Sequence, residues 1–297
     1  MFNLSIVVTT YKRPKKLTKC LDSIIKFVDN NCEVIVINDD PKEDLNHVKN
    51  KYFERVKFID NKKNIGANAS RNKGLINANS NWITFLDDDD EYINCRKNLI
   101  KNLNQKYDLY YFNALVFIEN YNISYKTKLN FKPKREKFIE GNYLGGTPRF
   151  IFSRDFLLKN KIQFSESLSR YQDMDFLQKI FLKNKLPLIK FDNRIYVKCN
   201  YSLNHLGIST SVNSKFPYLK TLLKNFSKSE LRENYKKLNI GFLKSQIFQS
   251  ILKNDKKKYF KLSISLFLLL EWKYIMSFLI LFISPKLFFK IKSYTSK

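Results

Sequence analysis

The chain has 297 residues, 44% of them hydrophobic and 15% aromatic, with only 7 Gly and 7 Pro; this supplies a large core and excludes a disordered, collagen-like or solenoid chain. Lys and Arg number 54 against 27 Asp and Glu, leaving a net charge of +27, a field that attracts nucleic acid, nucleotide phosphates or an acidic membrane face. Four Cys without C-x-x-C spacing and two His suggest neither a zinc site nor a disulfide framework, and fit a reduced, cytosolic chain.

Leu4–Thr9 is β-branched and apolar and reads as a buried strand; it is too short, and lacks the cleavage region, for a signal peptide. Pro14 suits the first turn of a helix whose apolar face is Leu17, Leu21, Ile24, Ile25 and Val28. Glu33–Asn38 is a second buried strand, a short helix follows over Asp44–Phe53, and Val56–Ile59 is a third strand. Ala67–Ala78 is helical, and Trp82–Leu86 is a fourth strand running into Asp87, Asp88, Asp89 and Asp90. Strands alternating with helices predict an α/β fold, a Rossmann-like and mostly parallel sheet with helices on both faces. Ligands of such sheets sit beyond the carboxyl ends of the strands, where Thr9, Tyr11, Asn38, Asp39 and the Asp run lie.

Beyond residue 95 the pattern loosens. Leu109–Ile118 reads as a strand, Tyr121–Pro133 as a hairpin and loop, and Gly145–Pro148 as a tight loop before Arg149–Phe152. Asp173–Lys183 has helical spacing, and Leu188–Val197 reads as the last strand. From Ser214 to Lys297 there are 18 Lys and Arg against 4 Asp and Glu, in helix-like segments rich in Leu, Phe and Ile. The organisation expected is a catalytic domain over 1–213 and a basic, apolar helical region over 214–297. Within the latter, Leu262–Ile283 is long enough to span a bilayer. Glu271 and Lys273 at its middle oppose spanning, each at a cost of about 2.5–3.5 kcal/mol. Helices lying on the membrane, with Trp272 and Tyr274 at the interface and flanking lysines on anionic lipid, are the expected arrangement. Packing on the catalytic domain or on a second subunit is the alternative, which makes these helices a candidate oligomer contact.

Four adjacent carboxylates repel one another, and a hard divalent cation, Mg²⁺ or Mn²⁺, explains their gathering at a strand end. The plainer alternative is a helix start with Asp90 as N-cap. In Asn64–Gly74, Gly66 permits a sharp turn or close approach to a ligand, and Arg71 lies one turn into the helix behind it, placed for a base or diphosphate; a solvated Arg on an ordinary helix is the alternative. Asp173, in Gln172-Asp173-Met174-Asp175, is a candidate general base or a helix cap. His205 is a candidate metal or phosphate contact, or a packed His. No P-loop, G-x-G-x-x-G or G-x-S-x-G stretch is present.

Taken together, Ile6–Pro14, Val34–Asp39, the N-x-G-x-x-x-S-R-N-x-G run and Phe85–Asp90 appear in order at fitting intervals. The set resembles the family 2 glycosyltransferases of the GT-A fold, strongly over the first 100 residues and weakly to about residue 210. The resemblance implies transfer of a sugar, with inversion, from a nucleoside-diphosphate donor, by family frequency UDP, with Mn²⁺ or Mg²⁺ as cofactor. It places Thr9 and Tyr11 at the nucleoside, Asp39 on the base, Arg71 near the base or diphosphate, and Asp87, with Asp88 beside it, near the ribose and donor. It places Asp89 on the metal, Asp173 as general base, and His205 in a His-x-x-x-Ser stretch after the last strand. Gln172 stands where the family has Glu, Ser70 where Ala is common, and Asn38-Asp39-Asp40-Pro41 where Asp-Asp-Gly-Ser is usual. The expected acceptor is a lipid-linked or surface polysaccharide hydroxyl, and the expected location is cytoplasmic, peripheral on the inner membrane face. A non-catalytic nucleotide-sugar or glycan-binding module is the second reading. A nucleic-acid-binding protein is the third, and with no nucleic-acid motif present no nucleic-acid partner is expected.

Overall fold

A computed structural model describes residues 2–128, 137–141, 143–182, 186–201, 222–223, 225–252, 255–268, 276, 279–280 and 282–295. The first half is built from β1 (Leu4–Thr10), α1 (Pro14–Phe27), β2 (Cys32–Asn38), α2 (Asn46–Tyr52), β3 (Val56–Asp60), α3 (Ala67–Asn77) and β4 (Trp82–Asp87). β2, β3 and β4 run parallel to their neighbours in the order β3-β2-β1-β4. Alternate residues of each strand enter opposite layers. Leu4, Ile6 and Val8 of β1 and Val34 and Val36 of β2 join α1, whose Leu17, Leu21 and Ile24 are buried. Val7, Ile35 and Ile37 point the other way, into the layer that holds Leu75 of α3. A two-residue side-chain period with both faces apolar is what a covered parallel sheet requires.

The sheet continues through three elements of mixed direction. β6 (Leu109–Ile118) pairs parallel with β9 (Ile189–Tyr201), and β8 (Phe150–Ser153) lies antiparallel between β4 and β6. β5 (Glu91–Tyr92) caps the edge against β9, and β7 (Ile123–Lys126) folds back on β6 as the expected hairpin. The full order is β3-β2-β1-β4-β8-β6-β9-β5. Helices α4 (Lys97–Lys101), α5 (Lys137–Glu140), α6 (Arg154–Lys159) and α7 (Gln172–Phe181) pack around this half. β5, α4 and α6 are not apparent from the sequence pattern, being too short to display a period.

The chain ends in α8 (Lys228–Glu233), α9 (Tyr235–Leu252), α10 (Lys256–Leu268) and α11 (Pro285–Thr295). Ser227 and Glu230 form a reciprocal capping box at the start of α8. Ile240 and Ile247 of α9 pack on Tyr259 and Leu266 of α10, and α11 seats Phe289 on Ile118 and the aromatic side chains of the β6–β7 hairpin. Among the described residues no helix is long and apolar enough to cross a membrane. Glu271–Tyr274, on which the sequence reading of that segment turned, lie outside the described residues.

Candidate active site

The strand order reverses at β1, because β2 and β3 lie on one side of it and β4 on the other. Such a switch point opens a crevice at the carboxyl ends of the strands. Parallel pairing sets Thr9 directly beside Asp87. Thr9 is half-buried and Tyr11 is exposed at this crevice. A groove of about 310 Å³ opens nearby, at the ends of β2 and β3, lined by Asn38, Pro41, Glu43, Lys49, Asp60, Asn61 and Lys62; it includes none of the expected donor contacts.

The four acids divide sharply. Asp87 accepts from Arg71 Nη2 at 2.6 Å and keeps part of its carboxylate exposed. Asp88 is fully buried; its Oδ2 accepts from Thr10 Oγ1 at 2.7 Å, and its Oδ1 lies 3.2 Å from Arg13 Nη2. Burial pushes the Asp88 carboxyl up to about 7, against the pull of Arg13 and Thr10. Asp88, expected near the donor, has its side chain enclosed, where it holds the β1 and β4 ends together. Asp89 is partly exposed and accepts from Arg13 Nη1 at 2.7 Å. Asp90 is buried and accepts from the backbone N–H of Asn200 at 2.9 Å. It caps no helix, since β5 follows it directly, so the helix-start alternative fails. Burial, reinforced by the neighbouring acids, raises the carboxyls of Asp89 and Asp90.

Asp39 is buried and fully engaged. Oδ1 accepts from Asn61 Nδ2 and the Ile65 N–H, and Oδ2 from the Gly66 N–H, each at 2.9 Å. It thus anchors the loop that leads into α3. Gly66 is there because the backbone turns with φ +87°, a left-handed conformation in which a side chain is strained. Ser70 accepts from Asn61 at 3.0 Å, which gives the hydroxyl in place of the family's usual Ala a partner.

Arg71 is the centre of the site. It is buried, stacked 5.3 Å over the Phe164 ring, and bonded to both Asp87 and Gln172, with Nη1 donating to Gln172 Oε1 at 3.0 Å. Gln172, the departure from the family pattern, therefore supplies a neutral acceptor. Two side chains earlier and later on α3 clamp the segment leading to α7: Asn68 donates to the carbonyls of Ser165 and Leu168, and Asn72 pairs with both backbone groups of Phe164. Asp173 follows at the α7 start, half-buried. Its Oδ1 accepts from Thr147 Oγ1 at 3.1 Å, and the Gly146 backbone leaves room against its other oxygen. Burial raises the Asp173 carboxyl, and Arg71 partly offsets this.

Arg71 thus brings Asp87 and the first turn of α7 to one place, while Arg13, Thr10, Thr147 and Asn200 were not singled out from sequence as site residues. Arg13 had a signal in retrospect, as a cation at the end of β1 opposite the Asp run. Thr147 and Asn200 had none, because their partners are distant in sequence. His205, the further expected metal ligand, lies outside the described residues.

Among the described residues no three His, Cys, Asp or Glu side chains are grouped to hold a metal. Mg²⁺ and Mn²⁺ at phosphate-transfer sites commonly take one or two carboxylates and complete their shell with phosphate oxygens and water. Two partly exposed carboxylates, Asp87 and Asp89, fit that donor set.

A crevice at the β1/β4 switch point with acids at the end of β4 is the arrangement that the resemblance to GT-A glycosyltransferases leads one to expect. The sequence family described as glycosyl transferase family 2 matches residues 5–163, and the chain belongs to that family. It is 26% identical over 97% of its length to an uncharacterized glycosyltransferase of Haemophilus influenzae, 98% of which is covered. Over 39% of each chain it is 32% identical to the GalNAc(5)-diNAcBac-PP-undecaprenol beta-1,3-glucosyltransferase of Campylobacter jejuni. The crystal structure of S. aureus TarS 1–349 in complex with UDP-GlcNAc superposes with a TM-score of 0.53 at 17% identity, over 88% of this chain and 89% of that one, and shows the shared fold.

Proposed function

We propose that the protein is an inverting, metal-dependent glycosyltransferase that moves a hexosyl or N-acetylhexosaminyl group from a nucleoside-diphosphate sugar, UDP foremost, to a hydroxyl of a lipid-linked or surface polysaccharide acceptor. In this reading residues 1–213 are the catalytic domain, and residues 214–297 hold it peripherally at the cytoplasmic membrane face. The observation that carries it is the Asp87–Arg71–Gln172 bridge, which ties the end of β4 to the start of α7, where Asp173 follows Gln172. The Campylobacter relative's name, with its undecaprenol-linked acceptor, supports the acceptor class. The TarS complex supports a UDP-sugar donor through fold alone.

Asp173, one oxygen tied down by Thr147, accepts the proton of the acceptor hydroxyl as that oxygen attacks the anomeric carbon. The glycosidic bond to the diphosphate breaks in the same displacement, which inverts the centre without a covalent intermediate. Thr9 and Tyr11 flank the nucleoside, and Arg71 orients Asp87 toward the ribose. Held by Asp89 with Asp87 beside it, a divalent cation would stabilise the charge that develops on the leaving nucleoside diphosphate. The test is a mass-spectrometric screen of nucleotide sugars with Mn²⁺. Turnover of one donor supports the reading, whereas binding without hydrolysis or transfer of any donor points to the non-catalytic module.

A further inference from the structure

The C-terminal helices bury one apolar face and expose another. On α10, Tyr259 and Leu266 pack toward α9, with Leu262 beside them. Outside that face Phe260 (whose ring edge also meets Phe282), Ile264 and Leu268 are 55%, 60% and 73% exposed. They recur every four residues and so form one row along the helix. Lys257 and Lys261 are exposed and fall on the same side by helical spacing. α11 repeats the arrangement. Phe289 is buried against Ile118, Tyr121 and Tyr125, while Leu287, Ile291 and Tyr294 are exposed along one row, preceded by exposed Ile283. Lys286 and Lys290 flank that row.

Scattered exposed apolar residues are ordinary on a protein surface; continuous rows on two of the C-terminal helices are not. Their chemistry selects the partner. From Lys256 to Lys297 the sequence holds nine Lys and one acid, Glu271. A second copy docking on this surface would set lysines against lysines. A bilayer bearing anionic headgroups offers an apolar phase for Phe260, Ile264, Leu268 and Leu287 together with negative charge for the lysines around them.

We infer that the outer rows of α10 and α11 are the surface on which the protein lies on an anionic lipid bilayer. Phe289 ties this surface to the β6–β7 hairpin. The hairpin in turn borders the site: Glu119 at its turn is 4.0 Å from Lys16, which is 3.8 Å from Asp89. Docking would therefore hold the site near the bilayer, with α11 and the hairpin between them. This deepens the acceptor reading given above, and the experiment keeps the two separable.

The full chain is floated with vesicles of phosphatidylglycerol and phosphatidylethanolamine, and with phosphatidylcholine vesicles, at low and high salt. The wild type should bind the anionic vesicles well above the neutral ones and retain part of that binding at high salt. Phe260→Ser with Ile264→Ser, and separately Leu287→Ser with Ile291→Ser, should each lower vesicle binding at least tenfold. Lys257→Gln and Lys290→Gln should each lower it about fivefold at low salt only. All these positions are exposed, so circular dichroism and vesicle-free donor hydrolysis should stay at wild-type levels. Wild-type failure to float, unchanged flotation of both serine pairs, or a concentration-dependent dimer that the serine pairs abolish would each overturn the inference. If no variant or wild type hydrolyses any donor yet flotation follows this pattern, the docking surface stands and the catalytic reading fails.

Discussion

Asp173 must be ionised to take a proton, and its burial raises its carboxyl above the ordinary Asp range. Activity should therefore fall on acidification along a limb that starts above that range. Asp173→Asn should lower transfer by about 10²–10⁴-fold with nucleotide affinity retained, as read by calorimetry. A carboxyl raised in the fold favours its protonated form, so its ionisation costs stability as pH rises through that value. Asp173→Asn should accordingly melt no lower than wild type at pH 8, and normal transfer by this variant would remove Asp173 from the mechanism. Thr147 is a positioning residue, since its hydroxyl stabilises the Asp173 carboxylate. Thr147→Val should lower kcat and move the acidic limb to higher pH, while Thr147→Ser restores both; an unmoved limb would mean that the hydroxyl serves packing only. Asp89→Asn should reduce turnover by about 10²-fold, EDTA should reproduce the loss in wild type, and Mn²⁺ should reverse it. Full activity after EDTA and gel filtration would refute metal dependence.

At the scale of elements, α3 matters most, because it carries Arg71, Asn68 and Asn72 and lies directly on β1. Gly74 is what lets it approach: a Cβ there would lie 2.2 Å from Val7 Cγ1. Gly74→Ala gains about 1 kcal/mol in helix propensity. The overlap costs about 1–3 kcal/mol, and Val7 is enclosed on both sides by β2 and β4 and cannot yield. A net loss of stability is expected, seen as a lower Tm, with partial recovery in Gly74→Ala/Val7→Ala. An unchanged Tm would show that the helix shifts freely. The helix itself is readable from the sequence, as are β1 to β4, because periodicity and the Pro14 and Gly66 signals act within a few residues. Its function as a clamp is not, since Asn72 meets Phe164 across 92 positions. The same distance hid the reason for Gln172: with Arg71 already paired to Asp87, a neutral acceptor is enough to complete the bridge.

For the whole molecule the charge of +27 is the dominant field. Its most basic part by sequence is the C-terminal third. A gel-shift titration with a random duplex should show only weak, salt-sensitive binding, with a dissociation constant above about 1 μM at 150 mM salt. Nanomolar binding that survives that salt would favour the nucleic-acid reading.

The order β3-β2-β1-β4 was not legible in the sequence, whereas the existence of β1 to β4, the helices between them and the gathering of Thr9, Asp39 and the Asp run at one edge were legible in the sequence alone. Each depends on an apolar period or a turn residue written within a dozen positions, and parallel strands necessarily bring their carboxyl ends together. Which acid is enclosed and which is open was decided only by tertiary structure. Asp87, Asp88, Asp89 and Asp90 are identical in type and adjacent, yet Thr10 and Arg13 draw Asp88 inward, Asn200 holds Asp90, and Asp87 and Asp89 remain at the crevice. The two-faced character of α10 and α11 was decided in the same way. Their apolar residues surround each helix, and only the packing of Tyr259 and Phe289 leaves Phe260 and Leu287 facing outward. Side-chain type is local, but burial and charge pairing are properties of neighbours that only the folded chain supplies.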